Sequence, residues 1–118
     1  MVIQMVPRKK TAAEKLARQM QLLWKEHRSE FVDRVEKIES ARASLANGLD
    51  LTFAERAEAA SSAHKLAGVL GMFGLKDGTE AARNIEALLT ADEAHSAEHL
   101  TQHLTPNISA LRAAIASR

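Results

Sequence analysis

The chain has no cysteine and no tyrosine, only two prolines and five glycines, and its aromatic residues are one tryptophan and three phenylalanines among 118 residues. Without cysteine there is no disulfide, no thiolate nucleophile and no Cys-ligated zinc, and a reducing compartment fits that composition. An excess of charge is missing as well. The formal net charge is +1, so bulk electrostatics points neither to nucleic acid nor to a membrane surface. No apolar run approaches the roughly 20 residues that span a bilayer, and the opening segment 1–7 is too short for a secretory apolar region with its cleavage site. No glycine-rich loop joins a strand to a helix, no Gly-x-Ser-x-Gly elbow occurs, and no basic patch is interleaved with aromatics. These absences argue against an autonomous enzyme and leave the cytoplasm as the expected location. The initiator Met1 and the basic lead-in Arg8-Lys9-Lys10 fit a small independent gene product.

What is present is helical periodicity. Four Ser/Thr/Asp-x-x-Glu pairs, Thr11-Glu14, Thr52-Glu55, Asp77-Glu80 and Thr90-Glu93, have the capping-box spacing and each precedes an apolar pattern. The first pattern, about 11–26, presents Leu16, Met20 and Leu23 as its stripe, with Trp24 at the edge. The second, about 29–47, presents Phe31, Val35, Ile38, Ala41 and Leu45, and Gly48 stands where a C′ glycine belongs. A third helix over 52–73 buries Ala59, Ala63, Leu66, Leu70 and Phe73, with Gly74 ending it. A fourth over 78–89 turns Ala81, Ala82, Ile85, Leu88 and Leu89 inward. The last, 91–117, keeps one stripe (Ala97, Leu100, Leu104, Ile108, Leu111, Ile115) in phase across Pro106, which predicts a single kinked helix. Nothing alternates with period two. The expected architecture is all-α: an antiparallel up-down four-helix bundle with an additional N-terminal helix, one domain over 11–118 behind a poorly ordered lead-in at 1–10.

His64 is the candidate for chemistry. At 100° per residue it points away from the Ala59/Ala63/Leu66/Leu70 stripe, and its outward neighbours Ala60, Gly68 and Gly71, with Ser61 and Ala67 at the margins, are cut back to almost nothing. Glycine inside a helix costs roughly 1 kcal/mol against alanine, so its recurrence here calls for a reason. An imidazole on a bare helix face suits a nucleophilic nitrogen that a second macromolecule approaches closely, and phosphoryl transfer asks mainly for positioning and charge neutralisation, which a partner could supply. His95, His99 and His103 recur every four residues on the last helix, a spacing that could hold zinc or nickel; no carboxylate or cysteine lies at complementary spacing, and a solvated polar face opposite the Leu100/Leu104 stripe is the simpler reading. His27 reads as a boundary residue.

The run Ala63-His64-Lys65-Leu66-Ala67-Gly68, followed by Gly74-Leu75, resembles the signature of histidine-containing phosphotransfer (HPt) domains, and the order of helices around it is similar over most of the chain. The resemblance implies that His64 is the phospho-accepting residue, taking phosphate from a receiver-domain aspartate and giving it to another, with hybrid histidine kinases as further partners. It implies a phosphocarrier without its own ATP site, and Mg²⁺ on the receiver, not on this chain. Many members carry lysine where this chain has Ala67, so Lys65 is the remaining cation beside the phosphate. Ser61, Ala67, Gly68, Gly71 and Met72, with Arg83 of the next helix, form the expected docking surface. Two other readings stay open: a helical adaptor that binds a receiver or kinase without carrying phosphate, against which the intact His64 and its glycines argue, and a dimeric scaffold, which would need a second exposed apolar seam that the sequence does not show. A monomer is expected.

Overall fold

The computed structural model describes residues 11–92 and 95–118; the lead-in 1–10 and Glu93 lie outside them. Among the described residues the chain is helical throughout, with four helices: α1 (Ala12–Ala46), α2 (Phe53–Met72), α3 (Lys76–Thr90) and α4 (Ala97–Ala116). Each packs on its neighbours in sequence, and α4 closes on α1. Their inward stripes meet in a single core whose fully buried members include Ile38, Leu66, Leu70, Ile85, Leu104 and Leu111.

The largest departure from the sequence-based expectation is at the start. The patterns at 11–26 and 29–47 are not two helices: they fuse into the 35-residue α1, so no separate N-terminal helix packs on the bundle. Nothing in Lys25-Glu26-His27-Arg28 breaks a helix, since it holds neither glycine nor proline. His27 is accordingly not a boundary residue; it sits mid-helix, its Nδ1 3.4 Å from Glu30 Oε2. The inward stripe also differs. Trp24 is buried, with Phe31, Val35, Ile38, Ala41 and Leu45 below it, whereas Leu16 and Leu23 are exposed. Trp24, Phe31, Ile38 and Leu45 recur every seven residues, and the series continued upward falls on Ala17; Leu16 and Leu23 each stand one residue earlier, about 100° round the helix. The indole of Trp24 lies 4.9 Å from the ring of Phe73 and 5.3 Å from that of Phe31. Arg118 caps this cluster, its guanidinium 5.0 Å from the Phe73 ring centre and donating to the Phe73 carbonyl at 3.1 Å.

The helix ends separate the capping signals that act from those that do not. Thr52 and Glu55 form the full reciprocal box at the head of α2, and the Thr11 hydroxyl accepts from the Glu14 amide at the head of α1. Asp77 does not cap α3, which begins one residue earlier behind Leu75 without a side-chain cap. Thr90 is the last residue of α3, its hydroxyl donating back to the Glu86 carbonyl; α4 starts later, capped by Ser96. Gly48 and Gly74 take φ of +75° and +72°. Each lets the amide of the following residue reach back to the last helical turn, Leu49 to Ser44 and Leu75 to Leu70, a closure that a side chain at positive φ would strain. The turn at Gly74 is what folds α3 back onto α2. α4 runs unbroken through Pro106.

Candidate functional site

α2 and α3 run in opposite directions, and three polar contacts set their register. The Arg56 guanidinium donates to the Leu89 carbonyl at 3.2 Å, His64 meets Glu86, and the Thr79 hydroxyl donates to the Ala67 carbonyl at 3.2 Å. Gly78 permits the close approach: a Cβ there would stand 2.8 Å from Ala114 Cβ and 2.9 Å from Leu70 Cδ1.

This register places a carboxylate beside the imidazole. His64 Nδ1 lies 2.9 Å from Glu86 Oε2 and 3.2 Å from Oε1. An ionised carboxylate only accepts, so the contact selects the tautomer with the proton on Nδ1 and leaves the lone pair on Nε2. The His64 side chain is 76% exposed while that of Glu86 is 33% exposed, so the inner nitrogen is anchored and the outer one faces solvent. Glu86 is the residue that sequence reasoning missed. It is 22 positions from His64, and no local spacing joins them; only the antiparallel return of α3 does.

Part of the surface around His64 is bare. Gly68 is exposed, and a Cβ built on it would meet nothing within 4 Å; one on Gly71 would only touch Thr79 Oγ1 at 3.5 Å. Neither glycine has a positive φ. The fold itself therefore requires neither, and the space they leave opens outward. Ser61, Lys65 and Met72 are exposed on this side. Ala60 and Ala67 are not part of the surface: both are buried, because α3 packs across them. Gly71 and Arg83 line one groove of about 490 Å³ with Lys76 and Asn84, so α3 does bring Arg83 to the Gly71 side of the site. Phe53 adds an element that the sequence analysis did not single out. It is 88% exposed at the head of α2. Eleven residues separate it from His64, three turns that return it to within about 20° of the same face.

The three histidines form a different feature: His99 and His103 are on α4, whereas His95 precedes its Ser96 cap and so is not on the helix as the spacing predicts. The rings of His95 and His99 stack at 4.4 Å between centres, and those of His99 and His103 stand 4.3 Å apart. Among the described residues no group of three potential ligands is placed to hold a metal ion. Desolvation, together with the neighbouring His103 and His95, pushes the His99 pKa below the usual imidazole value.

The family model for the Hpt domain matches residues 11–116. The chain belongs to the Hpt domain family. Membership makes it a phosphotransfer module of two-component signalling, a phosphocarrier rather than a kinase, whose family partners are receiver domains and kinases. No curated protein and no solved structure matches the chain. Among its described residues no helix is long and apolar enough to cross a membrane. The matched span of this Hpt domain includes all four helices and both members of the His64–Glu86 pair.

Proposed function

We propose that this Hpt domain is a phosphorelay intermediate in which Nε2 of His64 accepts a phosphoryl group from the aspartyl phosphate of one receiver domain and passes it to the aspartate of another. The observation that carries this reading is the anchoring of Nδ1 by Glu86 on a helix face whose glycines serve no internal contact. In the forward step the Nε2 lone pair forms the N–P bond while the P–O bond to the donor aspartate breaks, its electron pair leaving with the carboxylate. No proton has to be removed from Nε2, because the ring hydrogen is on Nδ1. The phosphorylated ring gains positive character, and the Glu86 carboxylate at 2.9 Å offsets it. Mg²⁺ and the acidic residues that bind it belong to the receiver. In this reading Lys65, next to His64 in the chain, and Arg83, which lines a groove with Gly71, serve phosphate and receiver acids as flexible cations.

The receiver docks along α2, between exposed Phe53 at one end and exposed Met72 at the other, with Gly68 allowing close approach beside His64. Small apolar contacts with a polar rim suit a transient interface. Incubation with a phosphorylated receiver, or with a hybrid kinase, its receiver and ATP, should give acid-labile, alkali-stable label that is absent in His64→Gln. Receiver binding without label from any competent donor would overturn the carrier reading in favour of an adaptor.

A further inference from the structure

The first twelve residues of α1, 12–23, extend beyond the end of the bundle, where α2 stops at Met72 and α4 at Ala116. At roughly 1.5 Å per residue the extension is about 18 Å long. It is not a polar handle. Leu16 is 59% and Leu23 is 42% exposed, Met20 is half-buried between them, and the three share one face at i, i+4 and i+7. Leu16 and Leu23 each stand about 100° round the helix from the seam positions Ala17 and Trp24 that α1 turns to its own bundle, while Met20 lies between the two directions and packs against the edge of the core. A second exposed apolar seam is what a dimeric helical protein requires.

We propose that this seam pairs with the same seam of a second copy of the chain, antiparallel and about a twofold axis near residues 20–21. The charges favour that occupant. Lys15 and Glu26 lie on one flank of the stripe, eleven residues apart and so within about 20° of each other on the helix. Their midpoint is 20.5, beside the middle of the Leu16–Leu23 stripe. Reversing the helix about that point sets Lys15 of one copy against Glu26 of the other, and the symmetry makes the pair twice, as an isologous contact does. The same reversal directs the two bundles to opposite ends of the paired helices, so they do not collide. A strip about 18 Å long and one helix wide is at the small end for a specific interface, and the dimer forms in a concentration-dependent way. Both His64 faces, on the α2–α3 side of each bundle, stay open in this arrangement. The inference is independent of whether His64 carries phosphate.

Sedimentation velocity on the full chain, from low micromolar to hundreds of micromolar, tests it. The expected result is a monomer–dimer equilibrium that Leu16→Glu with Leu23→Glu abolishes while circular dichroism and phosphate uptake from a receiver stay unchanged. Lys15→Glu or Glu26→Lys alone should weaken association by about fivefold, as two exposed ion pairs of modest strength imply, and the two together should restore it. A monomer at every concentration, a dimer indifferent to the leucine substitutions, or a charge-swapped double variant no tighter than either single one would each overturn the proposal.

Discussion

At the scale of single residues, the site divides its work between a nitrogen that reacts and a carboxylate that holds it. Replacing Glu86 by glutamine keeps an acceptor near Nδ1 but removes the charge that offsets the phosphorylated ring. Because the pair is partly exposed, the loss should be moderate, about three- to tenfold in the rate of phosphoryl transfer, with receiver affinity nearly unchanged; a rate equal to the parent's would remove Glu86 from the mechanism. The glycines give an opposite pair of tests. Gly68→Ala adds a methyl that meets nothing, so thermal unfolding should show a gain of up to about 1 kcal/mol from helix propensity, while transfer slows as the clearing narrows. Gly78→Ala forces a methyl against Ala114 and Leu70, and should destabilise by about 1–3 kcal/mol. His64 was legible from its own helix, since a period of 3.6 places it opposite the apolar stripe. Glu86 was not, since its partner is on another helix.

At the scale of elements, capping decided the boundaries where its chemistry was complete. Thr52 and Glu55 satisfy each other's backbone amides, and α2 begins where that pair predicts. Thr52→Ala should cost about 1 kcal/mol, read from a denaturant titration. Asp77-Glu80 has the same spacing and caps nothing, because the Gly74 turn delivers the chain into α3 one residue before Asp77 could act. Thr90 likewise remains inside α3. A shared spacing is thus necessary for the box but does not choose between the start of a helix and its interior. α1 teaches the complement: the junction at 25–28 between the two expected helices stays helical because no residue there opposes helix, and continuity moves Leu16 and Leu23 off the core face.

At the scale of the whole molecule, the row of histidines at the head of α4 couples stability to pH. The fold lowers the His99 pKa, so between the ordinary imidazole value and that lower one the unfolded chain binds more protons than the folded one. Stability therefore falls as pH drops through that window and levels off below it. His99→Gln should flatten the pH dependence of the melting temperature below neutrality; an unchanged slope would show that the stripe is silent. Glu39, held below the usual carboxylate range mainly by its hydrogen bond from Arg42, works in the same direction at lower pH, losing that contribution as the carboxyl is protonated. The amino-acid sequence by itself determined the all-helical class, the inward stripes of α2, α3 and α4, the glycine stops at 48 and 74, and the outward position of His64. Each of these follows from interactions within a few residues, where periodicity and backbone conformation act. Tertiary structure alone decided that Glu86 meets His64, that Ala60 and Ala67 are covered, that Phe53 is bare, and that Trp24 rather than Leu23 enters the core. Those outcomes depend on the register and reach of helices packed against one another, and a register between distant segments leaves no local trace in the chain.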